Sequence, residues 1–89
     1  MLTNVKGAEA NCGIDAAGAS TFGSATVVRL VNSGTTNRLV TIIDEVGGST
    51  TIGSFTLVGS EVTFVEKKST EAIFAANASV KGCKVGYSN

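Results

Sequence analysis

The residues of this chain whose types could do chemistry are two cysteines, Cys12 and Cys83, two adjacent carboxylates, Asp44 and Glu45, and a surplus of serine and threonine hydroxyls. There is no histidine, so the usual general base near neutral pH and the commonest metal ligand are both missing. The cysteines have neither CxxC spacing nor histidine companions, which argues against a zinc site or a catalytic thiol. They read as two small buried hydrophobes, with a disulfide as the alternative. Asp44 and Glu45 stand at a predicted strand end, where successive side chains point to opposite faces, so they do not converge as an acid and base pair. A hydroxyl nucleophile needs a neighbouring base, and none is offered. The run VGGSTT (46–51) is glycine-rich but lacks the Gly-Lys-Ser/Thr ending and following helix of a phosphate-cradling loop, and reads as a hairpin turn. Asn77-Ala78-Ser79 fits the glycosylation pattern without a secretion signal to make it meaningful. The expectation is a non-enzyme with no cofactor and no metal.

The elements must therefore be read for shape. With 89 residues there is room for one small domain with a thin core. The hydrophobic fraction of 43% and mean hydropathy of +0.29 argue against a disordered tail. Only 16% of residues are charged, and a small chain so rich in apolar residues often gives part of its surface to a partner. Seven basic and seven acidic residues cancel, and Lys67-Lys68 is the one adjacent basic pair, so no nucleic-acid interface is expected. No apolar run reaches the roughly 20 residues of a membrane span, which gives no membrane expectation either. The opening MLTNVKGAEANCG lacks a basic segment followed by an apolar one, so folding in a cytoplasm is expected.

Residues 1–24 are rich in Gly, Ala and Ser, with Val5, Ile14 and Phe22 as isolated anchors, and read as an extended N-terminal arm that wraps its own domain or reaches a neighbour. Residues 25–89 read as the domain proper. Strands are predicted over 25–32, 38–45, 51–57 and 61–67, joined as antiparallel hairpins, with the last pair turning at Val58-Gly59-Ser60. Ser69 or Thr70 is a candidate N-cap for a short helical turn through Ala76. A final strand follows, with Cys83, Val85 and Tyr87 on one face. The predicted fold is all-β, a small antiparallel β-sandwich or partly open barrel with one helical turn. Phe55, Leu57, Val62 and Phe64 are candidates to fill its core, and Thr51, Thr56 and Thr63 suit wet faces. Both faces of two strands are apolar: Val28 and Leu30 oppose Val27 and Val31, and Val40 and Ile42 oppose Leu39 and Ile43. A sheet with one wet face alternates apolar with polar, so the second face is expected to be covered by the arm or helical turn, or by another chain. The candidate partner-docking residues are Val5, Ile14, Phe22, Val27, Val31, Leu39 and Ile43.

The run VVRLVNSGTTNRLVTI, followed by TIGSFTLVGSEVTFVEKKSTEAIFAANASVKGCKVGY, resembles small virion structural proteins of marine tailed bacteriophages over residues 25–87. The resemblance implies a β-sandwich on a phage particle, most plausibly a capsid decoration or cement protein. It further implies the major capsid protein as partner, self-association as a dimer or trimer, and a place on the capsid surface after synthesis in the host cytoplasm. A tail, neck or fibre component, or a host-surface-binding β module, is the alternative.

Overall fold

The computed structural model describes residues 2–88, with side chains through residue 86. Alternation of burial is cleanest in the strand Val27–Asn32, where Val28, Leu30 and Asn32 are fully buried while Val27, Arg29 and Val31 are half-exposed. That period of two is the pleat of a strand with one face against a core. In chain order the strands are β1 (Leu2–Val5), β2 (Ala10–Asn11), β3 (Val27–Asn32), β4 (Arg38–Ile43), β5 (Thr51–Leu57), β6 (Val62–Glu66), β7 (Ala72–Ala75) and β8 (Val80–Ser88). The first sheet runs β1-β8-β3-β6, with β2 also on β8, and the second runs β5-β4-β7. All strand pairs are antiparallel.

The core lies between the two sheets. Val28, Leu30 and Val80 come from the first, Val40, Leu57, Ile73 and Ala75 from the second, and Cys12, Phe22 and Ala25 from the N-terminal segment. The all-β sandwich expected from the sequence is thus present. Its connections differ from those expected. Only β4 and β5 form a hairpin; β5 pairs with β4 while β6 pairs with β3, so Val58–Ser60 is a corner between sheets. Asn32 makes that corner. Its buried side-chain amide donates to the carbonyls of Leu57 (3.0 Å) and Thr36 (2.7 Å), and its own carbonyl accepts the Ser60 N–H at 3.0 Å. A buried amide with these partners fixes where three loops meet, and the chain after Leu57 is carried across to β3.

The helical turn predicted through Ala76 is absent, and Ala72–Ala75 is a strand. Ser69-Thr70 does form a turn, but Glu71 closes it by accepting the Lys68 N–H on Oε1 at 2.7 Å and donating its own N–H to the Lys68 carbonyl. Beyond it, Ile73 and Ala75 enter the core and Ala72 and Phe74 take the opposite side, which only an extended chain allows. Pairing with β4 then decides the matter over local propensity.

Residues 2–24, set apart in the sequence as an arm, wrap their own domain. The segment runs along β8, the four residues between Val5 and Ala10 opposing the two between Val85 and Gly82, so a bulge separates β1 from β2. It then crosses to the second sheet, where the Gly13 carbonyl accepts from Ala75 N–H and Ser20 exchanges two bonds with Ile73, each at 2.9 Å. The return is a left-handed turn in which Phe22, Gly23 and Ser24 all have positive φ (53°, 67° and 58°). Each non-glycine residue there costs about 1–2 kcal/mol. The turn is held by Ala25 N–H to the Thr21 carbonyl, Phe22 N–H to Ser20 Oγ and Ser24 N–H to Thr21 Oγ1. Its effect is to swing the Phe22 ring onto Gly82, where a Cβ would come within 2.8 Å of the ring, and so to plug the core between the sheets.

Candidate functional site

Cross-strand partners share a face, so the register of the first sheet defines what its outer side presents. One row is Val5–Val85–Val27–Glu66, from the pairs Val5 with Val85 and Val27 with Glu66, and the slanting alternation of β8 and β3. The middle row places Cys83, Arg29 and Phe64 side by side, and Glu9 reaches across to Arg29 at 3.5 Å. The third row is Asn11–Lys81–Val31–Val62. Cys83 and Val85 on the central strand are buried, while Val5, Val62 and Phe64 toward the edges are 70%, 42% and 44% exposed. The result is an apolar surface with one half-exposed ion pair in its middle and Lys81 and Glu66 at its margins.

The second sheet's outer side is different. Ile43, Ala72 and Phe74 lie there beneath Ala16 and Ala19, which belong to the loop between Gly13 and Ser20. That flap is pinned by the Gly47 N–H, which donates to the Ala16 carbonyl at 2.8 Å, and by Gly18 N–H on Asp15 Oδ1. Leu39 and Ile52, further along the same sheet, stay half-exposed.

The structure therefore brings together Val5, Val27 and Val31 of the seven docking residues expected from the sequence. Leu39 is on the opposite side of the molecule and Ile14 is at the exposed tip of the flap. Phe22 (7% exposed) and Ile43 (3%) are buried and add nothing to either outer apolar side, Phe22 because it fills the core and Ile43 because the flap covers it. Val62 and Phe64, expected in the core, point outward, whereas Phe55 and Leu57 point inward. The missed signal was parity within β6: Val65 packs on the core, so Val62 and Phe64, three residues and one residue before it, both face away from the core.

The groups considered for chemistry are dispersed. Cys12 lies in the core, where burial pushes its thiol up to about 12, and Cys83 lies on the outer side of the first sheet; both are free. Asp44 curls within its own loop against Gly48, and Glu45 is exposed. Among the described residues no group of three metal-ligating side chains converges, and no helix is long and apolar enough to cross a membrane. Tyr87, expected on the face of Cys83 and Val85, has its side chain outside the described part. What fold and surface define is a small antiparallel β-sandwich with one covered and one open apolar side. No family model, curated protein or solved structure matches the chain.

Proposed function

We propose that the protein is a virion structural component, a cement or decoration protein that binds the outer shell of a major capsid protein and stabilises it. The observation that carries this reading is the open outer side of the first sheet, where Val5, Val27, Val31, Val62 and Phe64 lie around the Arg29–Glu9 pair on a braced sandwich. The sequence resemblance over residues 25–87 supports the same assignment. A cement protein works by lowering the free energy of an assembled lattice through repeated contacts, and needs shape and a docking surface rather than a reacting group. Repetition supplies avidity, so a patch of this size on each copy is adequate when copies associate as dimers or trimers on the shell. The low charge leaves little long-range repulsion between neighbouring copies.

The test is stoichiometry in purified particles. A shell component is expected in hundreds of copies, whereas about a dozen or fewer identifies a tail, neck or fibre part and overturns the assignment.

A further inference from the structure

At the end of the sandwich where β1 leaves β8, a cleft of about 380 Å³ is lined by Lys6, Ala8, Ala10, Ser20, Phe22 and Lys84, among others. Two features of it run against ordinary sheet economy. Lys6, the residue after β1, donates its N–H to the Lys84 carbonyl at 2.8 Å, and both lysines line the cleft. Like charges placed opposite each other destabilise a sheet. Among the described residues no carboxylate lines the cleft to offset them; Glu9, the acid nearest in sequence, is turned to the other face and paired with Arg29.

The lysine stems run past glycines at ordinary van der Waals distance. A Cβ on Gly86 would meet Lys6 Cε at 3.4 Å, and one on Gly7 would meet Lys84 Cβ at 3.5 Å. Lys84 Nζ rests on the Gly23 carbonyl at 3.2 Å, so the strained turn that seats Phe22 also steadies one ammonium at the cleft. Ser20 Oγ accepts the Phe22 N–H and keeps its hydroxyl hydrogen to donate.

We infer that this cleft binds a carboxylate carried on an apolar stem, the carboxylate between Lys6 and Lys84 and the stem against Phe22, Ala8 and Ala10. An ionised acceptor between two ammonium groups turns their repulsion into charge-assisted hydrogen bonds. The apolar part of the lining favours an organic acid over a compact, fully hydrated anion, because the stem gains by leaving water and a bare dianion would lose hydration there. The carboxylate has two possible sources, a free organic acid or the side chain of an acidic residue on a docked chain.

Backbone-amide NMR titration of the full chain, with ionic strength held by sodium chloride, tests this. Sodium benzoate is expected to give saturable shifts at Ser20, Gly23 and Lys84, with acetate weaker and affinity falling at least about tenfold in Lys84→Gln, whereas Lys81→Gln on the opposite face leaves it unchanged. Benzoate should also raise the melting temperature of the native chain but not of Lys84→Gln. Acetyl-glutamate N-methylamide provides the second arm: tighter binding than benzoate identifies an acidic side chain as the source, and weaker binding a free acid. Lys6 is exposed, so Lys6→Gln substitutes as the test variant if Lys84→Gln does not fold. Absence of saturation with either carboxylate, equal affinity of benzoate and acetate, or unaltered binding in the lysine variant overturns the inference.

Discussion

The outer sides of the two sheets carry similar residues and meet different fates. On the second sheet Ile43, Ala72 and Phe74 are roofed by Ala16 and Ala19, a cover supplied by the chain itself. On the first, the edges of the patch at Val5, Val62 and Phe64 remain over 40% exposed. Apolar alternation on both faces of a strand therefore signals a demand for two covers. The comparison teaches that one cover came from residues 13–20, and it makes the remaining side the place to look for a partner.

The most drastic way to break this comparison is to remove the cover. Deleting residues 1–20 takes Cys12 from the core and Ala19 from the flap, and strips the hydrogen-bonded neighbours from the edges of β8 and β7. Residues 25–89 read from the sequence as the domain proper; the structure leads us to expect loss of the cooperative urea transition followed by circular dichroism. A truncated chain that unfolds at the native midpoint would mean the flap contributes nothing to stability.

Point substitutions sharpen the contrast at a smaller scale. Ile43→Ala, under the flap, is expected to lower unfolding free energy by about 2–4 kcal/mol, the usual cost of emptying a buried site. Phe64→Ala, on the open side, should cost less than about 1 kcal/mol in the isolated protein, because much of the ring is already in water. On the proposed shell-binding role, its effect should appear instead on particles, as at least about tenfold weaker binding to the shell, since a few anchor side chains carry most of a docking energy. Equal destabilisation by both substitutions in urea titrations would show that the open side is packed within the monomer.

How much of this was legible follows from which interactions are local. The strand of residues 51–57 and the inward alternation of Val28 and Leu30 are set by a period of two within one segment, and the sequence carries them directly. The partner of β6 is not of that kind. Nothing near Val58–Ser60 announces that the Ser60 N–H will bond to the Asn32 carbonyl, so a hairpin was the local reading and an inter-sheet corner is the outcome. The same holds for Ala72–Ala75, where an N-cap signal at Ser69-Thr70 was genuine as a turn but the strand beyond it is imposed by β4. For the candidate surface, Val5, Val27 and Val31 could be nominated from composition and parity. Their convergence with Phe64 required the β3–β6 register, which is a long-range fact.

The two cysteines differ in the same way, since Cys12, just past β2, lies in the core and Cys83 of β8 lies on the outer side of the first sheet. Cys12 is 2% exposed and its thiol is pushed up to about 12 by burial, so at pH 8 it is both inaccessible and un-ionised. Alkylation of Cys12 by iodoacetamide should therefore track global unfolding. Cys83 is 5% exposed beneath the Arg29–Glu9 pair, which is itself half-open, and a local rearrangement suffices to reach it. Mass spectrometry of quenched samples should find Cys83 modified first, and Glu9→Gln should quicken Cys83 without changing Cys12. Identical rates for both thiols would mean that the open side opens only when the whole sandwich does.

The smallest effect belongs to the crossing from β6 to β7, where Lys67 is buried and its Nζ donates to the Ala25 carbonyl at 2.6 Å. Burial pulls its pKa below the ordinary 10.5, partly countered by the charge of Glu71. The unfolded chain therefore holds more protons than the folded one in the window just below 10.5, and stability must rise with pH there. The penalty of charging Lys67 is fully present below the folded pKa and vanishes above the unfolded one. Other groups titrate in the same range, so the useful quantity is the difference between the native chain and Lys67→Met in urea titrations from pH 8 upward. That difference should shift in favour of the native chain as pH rises, because only the native chain is relieved of a buried charge. A difference independent of pH would mean that the ammonium is as well solvated by the Ala25 and Lys68 carbonyls as it is by water.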